Sequence, residues 1–195
     1  MGTAAGRGII SNMNNHNLPL LLAFLAPLAA GCGSDAVSYS APVAITFNSI
    51  KPGTSNAILE NKNITQPSGN PWGKFLNDAK LKLGHEPSKI VLTGAAIGLL
   101  TSTGFTGLQD VFTGPVSVSF DVTPNSYQLA GVTSPTTAGP IPMTLVVATF
   151  DSTTMVAGDY ASLLGSSFSV VLAGTAPTAT SGANIQTTFT FVAYP

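Results

Sequence analysis

The chain has 195 residues, 7 Lys plus Arg against 8 Asp plus Glu, and a formal net charge of -1, so only 8% of it is charged. An average soluble domain carries about 25%. With a pI near 6.0, it has no basic footprint for tracking phosphates, which argues against nucleic-acid binding. A hydrophobic content of 44% is the opposite of a disordered composition, and the length suits one ordinary domain plus a processed segment.

That processed segment is the N-terminus. Leu18 to Ala30 runs without a charge, and its 13 residues rise only about 20 Å as helix. This is short of the roughly 30 Å needed to cross a bilayer, but it is the length of a signal-peptide apolar stretch. Residues 1–31 are therefore expected to be removed. At its end stands Leu28-Ala29-Ala30-Gly31-Cys32-Gly33, and Cys32 is the sole cysteine, so no intramolecular disulfide is available. The segment resembles the lipobox of bacterial lipoproteins, over residues 1–32 only. That resemblance implies that Cys32 is acylated on sulfur, with palmitate among the chains, becomes the mature N-terminus and anchors the protein to a membrane. Gly33 after the cysteine implies, by the same resemblance, the outer membrane of a Gram-negative cell. More than one acyl chain is what stable anchoring requires.

Residues 32–42 read as the lipidated cysteine and a short tether, and residues 43–195 as a single domain. Val43, Ile45 and Phe47 alternate with polar or small neighbours, the period-two pattern of a half-buried strand. Next, Trp72, Phe75, Leu76, Ala79 and Leu83 recur at helical spacing, opposite Lys74, Asp78, Lys80 and Lys82, which predicts an amphipathic helix over about 71–83. Asn70 is placed to cap it, Pro71 to open it and Gly84 to end it. Apolar runs at 90–92 and 95–100, alternation from Val116 to Val122, and runs at 143–150 and 168–173 predict further strands. A second helix is expected at about 153–164, closed by Gly165, and a last strand over 185–191. Turn clusters at 51–53, 66–69, 123–125 and 134–140 separate them. The sum is a mainly β, antiparallel β-sandwich of seven or eight strands, Ig-like or related, with one or two short helices.

Charge is unevenly spread. The six lysines after the leader all lie between Lys51 and Lys89, and no Lys or Arg follows. Glu60, Asp78 and Glu86 are interspersed, so a solvated helix face explains the cluster better than a docking field does.

Chemistry has few carriers. His85 is the one histidine after the leader, and Gly84-His85-Glu86-Pro87 reads as a surface loop. The sequence has no G-x-S-x-G elbow; Gly165-Ser166-Ser167-Phe168-Ser169 lacks the closing glycine. One histidine and one acylated cysteine do not make a zinc site. Asp110, Asp121, Asp151 and Asp159 are candidate calcium carboxylates but show no D-x-D-x-D spacing, and no nucleotide-binding glycine motif is present. No metal and no cofactor is assigned. Tyr39, Tyr127 and Trp72 are the candidate ligand contacts, although the helical phase of Trp72 places it with the core.

The expectation is a lipid-anchored cell-envelope β-sandwich that acts without catalysis, as a structural, adhesion or protein-interaction module. Its partners would be the membrane through Cys32 and an envelope protein, a second copy or a polysaccharide. Two alternatives stay open. A carbohydrate-binding module predicts exposed aromatics in a row, and a hydrolase with an unrecognised site predicts His85 beside Ser and Asp.

Overall fold

The computed structural model describes residues 37–65, 70–100, 103–177 and 182–195. The expected leader, residues 1–31, and Cys32 lie outside them. Ten strands form two antiparallel sheets. In chain order they are β1 (Tyr39–Ile50), β2 (Ala57–Ile64), β3 (Lys89–Leu99), β4 (Val116–Val122), β5 (Asn125–Val132), β6 (Ile141–Pro142), β7 (Thr144–Leu145), β8 (Thr149–Asp151), β9 (Phe168–Thr175) and β10 (Ala183–Tyr194), with helices α1 (Pro71–Leu83) and α2 (Asp159–Leu164). The first sheet runs β1-β10-β3-β6, with β8 also paired to β3; the second runs β2-β9-β4-β5-β7. The expected antiparallel sandwich is the observed fold.

Alternation does what its period dictates. Val43, Ile45 and Phe47 of β1, Val116, Val118, Phe120 and Val122 of β4, and Ile185, Phe189 and Phe191 of β10 are all buried, while their neighbours in sequence face outward. The inner faces of both sheets thereby make one core.

Strand β1 is the first departure from expectation. It starts at Tyr39, not Val43, so the last four residues assigned to the tether pair with β10, from Tyr39 opposite Ala193 to Pro42 opposite Thr190. Ser40 and Pro42 face solvent, which is why hydrophobicity alone placed the boundary too late. The runs at 90–92 and 95–100 are one strand, β3, with a register shift opposite Thr190 and Phe191 of β10. The run at 143–150 is not a strand but a crossing segment. Ile141 and Pro142 pair with β3, Thr144 and Leu145 with β5, and Thr149 to Asp151 with β3 again. One stretch of chain thus covers the edges of both sheets on that side.

The opposite side, that of β1 and β2, is covered by α1, which packs on β1. Asn70 Oδ1 accepts from the Gly73 amide at 2.7 Å, and Gly84 closes the helix in the left-handed region at φ 81°. Both caps match the sequence reading, as do the limits 71–83. The inner stripe of α1 drives Trp72 between the sheets. Its ring lies 5.4 Å from Phe120 and 5.5 Å from Phe168 in the second sheet, and 5.1 Å from Phe191 in the first. Its Nε1 donates to the Leu163 carbonyl at 2.9 Å, tying α1 to α2.

The second helix is shorter than expected. Only Asp159–Leu164 is helical. Upstream, Asp151 Oδ1 accepts from the amides of Thr153 and Thr154, a side-chain turn that competes with helix, and Gly158 sits at φ 93°. Met155 and Tyr160 are buried nonetheless.

Trp72→Ala is expected to destabilise the domain by about 3–5 kcal/mol. Trp72→Phe is expected to cost less, about 0.5–1.5 kcal/mol for the lost indole hydrogen bond beyond the smaller ring, because it keeps an aromatic ring and the Leu163 carbonyl still accepts from the Ser166 amide. Urea unfolding of both variants measures the difference.

Candidate functional site

The three aromatic candidates are all used internally. Trp72 is 1% exposed and enclosed by Phe75, Phe120, Phe168 and Phe191. That corrects its place among the ligand contacts, because no ring face is left for a ligand. Tyr39 is half-buried, with its ring 5.8 Å from Phe75 and its hydroxyl donating to Asp78 Oδ2 at 3.2 Å. Burial first, and then the Asp78 carboxylate, raise its pKa. Tyr127 donates to Asp159 Oδ2 at 2.6 Å and accepts from the Val156 amide at 3.0 Å. Its pKa is raised by burial and then by its bond to Asp159. Asn125 donates to the same Asp159 oxygen at 2.9 Å, so this carboxylate, only 7% exposed, is satisfied from β5 and fastens the start of α2 to the second sheet.

No described aromatic is strongly exposed; each is buried or half-buried. The outward row of β10 is Asn184, Gln186, Thr188, Thr190, Val192 and Tyr194, flanked by small residues such as Ala44 and Ala96. Its one ring, Tyr194, lies under the Lys89 ammonium at 4.7 Å. The row of exposed rings that a sugar platform needs is therefore lacking among the described residues.

His85 is exposed, with Nδ1 2.7 Å from the Glu86 carbonyl, which fits a loop role. The four aspartates considered for calcium stand apart, each bonded to donors of the protein itself. Asp110 Oδ2 accepts from the Thr106 amide and hydroxyl and from the Gly107 amide. Asp121 accepts from Ser126, Asp151 from Thr153 and Thr154, and Asp159 from Asn125 and Tyr127. Among the described residues no three His, Cys, Asp or Glu side chains gather as a metal site would require.

Two features lay beyond sequence reasoning. One is a polar cleft of about 410 Å³ where the second sheet meets α2, lined by Asn63, Thr65, Asp121, Thr123, Ser162 and Ser167 among others. Serine and threonine are so common in this chain that no spacing marks these six. The other is the end of the sandwich where β1 finishes. Described residues of the connections after β1, β3, β5 and β9 meet there and are tied by backbone hydrogen bonds: Leu99 to Ala138, Leu108 to Thr137, Thr113 to Thr175, Ala176 to Asn56 and Gly182 to Ile50. Loops fixed on a rigid scaffold are where recognition is usually placed.

The open strand edges are protected. Glu60 and Lys62 share the side of β2 that carries core residues Ile58 and Ile64, and Pro42 lies on β1. Inward-pointing charges, an edge proline and a covering helix are devices that prevent strand addition.

The Asp151 carboxyl is held at about 2, chiefly by the Thr153 hydroxyl and then by the amides of Thr153 and Thr154. A depressed folded pKa contributes stability above the ordinary carboxylate value, which is lost as pH falls through about 2. Asp151→Asn is therefore expected to melt lower than the parent at pH 7, and to lose less further stability between about pH 4 and pH 2. Thermal melts across that range check the sign.

No protein-family model matches the chain, and no curated protein matches it. Among solved structures, a chain from the structure of Cocksfoot mottle virus is similar at 11% identity over 93% of this chain and 96% of that one, with a TM-score of 0.31, too low to bear on fold or function.

Proposed function

We infer that this is a lipid-anchored, non-enzymatic binding module of the cell envelope, held by Cys32 and engaging an envelope partner through the loops at the far end of β1. The observation that supports the reading most is the convergence of four connections at that end, tied to one another by main-chain hydrogen bonds. Such ties hold a recognition surface in shape before a partner arrives, which reduces the ordering cost of binding. The guarded edges of β1 and β2 favour this surface over strand pairing with a second copy. Scarce charge fits the same reading, because a surface of hydroxyls, amides and backbone groups selects a partner by shape and hydrogen bonds rather than by long-range field.

The polar cleft beside α2 favours a second reading, a polyol or saccharide ligand, on account of its amide, carboxylate and hydroxyl lining. Its affinity would rest on hydrogen bonds alone, without ring stacking.

Expressed in a bacterial host with labelled palmitate, the chain should carry label, and mass spectrometry should find an acylated N-terminal Cys32. Cys32→Ser should abolish the label; an unmodified chain beginning elsewhere would remove the anchor from the reading. A photo-crosslinker at Thr136 on the loop end should yield a defined envelope adduct in intact cells, while one at Asn61 on the sheet face should not. Adducts from Asn61 alone would move the binding surface to the second sheet.

A further inference from the structure

The fold gives the anchored chain a direction. Tyr39 begins β1 opposite Ala193, Tyr194 pairs with Lys89, and Lys89 pairs with Asp151. These positions mark one end of the sandwich; Ile50, Ala183 and Leu99 mark the other. Tyr39 is fixed at its end by the contacts of its ring with Phe75 and its hydroxyl with Asp78. From Cys32 to Tyr39 the chain advances seven residues, about 25 Å at full extension. The 12 residues of β1 then span about 40 Å more.

The Tyr39 end differs in surface character from the loop end. Only five large apolar side chains stand out as exposed among the described residues, and three belong here: Val37 at 51%, Leu81 at 83% and Val156 at 55%. Leu81 lies in the last turn of α1 between Lys80 and Lys82. Lys74 and Lys80 pair with Asp78 and Glu86, and Lys89 lies over Tyr194, whereas Lys82 has no ion pair among the described residues. An exposed leucine beside an unpaired lysine, at the end where the chain enters, fits a bilayer interface, where apolar side chains sink and ammonium groups meet phosphate.

We propose that the Tyr39 end of the sandwich, through Val37, Leu81, Lys82 and Val156, rests on the phospholipid headgroups and directs the loop end away from the membrane. This rests on the acylation of Cys32. It gives the tether a function beyond attachment, since a short link with an apolar, cationic landing surface fixes the tilt of the domain. The connections after β1, β3, β5 and β9 are then carried the length of β1 beyond the bilayer, free to meet a partner.

The test uses the full acylated protein in vesicles of phosphatidylethanolamine and phosphatidylglycerol. With Cys32 acylated, a cysteine introduced by Leu81→Cys, Lys82→Cys or Thr136→Cys is the single free thiol for a fluorophore. Headgroup spin-labelled lipid should quench the probes at 81 and 82 several-fold more than the probe at 136. Flotation with the vesicles scores the anchor separately. Protein that fails to float overturns both the anchor and the orientation. Protein that floats but is quenched equally, or more strongly at 136, overturns the orientation alone and leaves the anchor standing.

Discussion

The position of Trp72 governs the rest of the molecule. Its ring touches aromatic side chains of both sheets, through Phe120 and Phe168 on one side and Phe191 on the other, and Phe120 continues the cluster to Phe150 and Phe191. Edge-to-face contacts of this kind add about 0.5–1.5 kcal/mol each beyond the area they bury. The indole N–H must also find a partner in this dry setting, and the Leu163 carbonyl supplies it across a sequence separation of 91 residues. A helix that caps one side, a second short helix and two sheets are thereby brought to a common point.

How much of this was legible in the sequence depended on whether local pattern and tertiary role agreed. In α1 they agree completely: the apolar stripe, Asn70, Pro71 and Gly84 all act within one turn of where they stand. Strands β4 and β10 alternate because one face is buried along their whole length. Strand β2, by contrast, left no signal. Its Ala-Ile-Leu-Glu-Asn-Lys-Asn-Ile carries charge on the side facing inward, a mark of an edge strand that propensity reads as loop. Strand β5 begins with polar Asn125 and Ser126 and changes register opposite Val118 and Ser119 of β4, which hides its period. The segment from Ile141 to Asp151 looks like one strand because it is apolar, but it is apolar in order to cross between two sheets. The candidate surfaces were legible least, since hydroxyl-rich clefts and tied loops use the same residues as every other turn in the chain.

The low charge also takes on physical content. In most domains ionic side chains guard against association; here few are available after Lys89. Protection is concentrated instead at the places where a sheet can be extended. A crossing segment occupies one side, a helix covers β1 on the other, and the edge strand β2 carries Glu60 and Lys62 in the same row as its core residues. The broad sheet faces can then be neutral without inviting strand addition.

One feature of the topology sets the order of events during folding. Strand β10 is made of nearly the last residues of the chain, yet it lies in the middle of its sheet, with β1 on one flank and β3 on the other. Until Ala183–Tyr194 has emerged, β1 and β3 have no common neighbour, and Phe189 and Phe191 are missing from the core. The pairing of Tyr39 with Ala193 spans almost the whole domain, the sort of long-range closure that slows folding. Until β10 has formed, the first sheet therefore stays divided into β1 on one side and β3 with its short partners on the other.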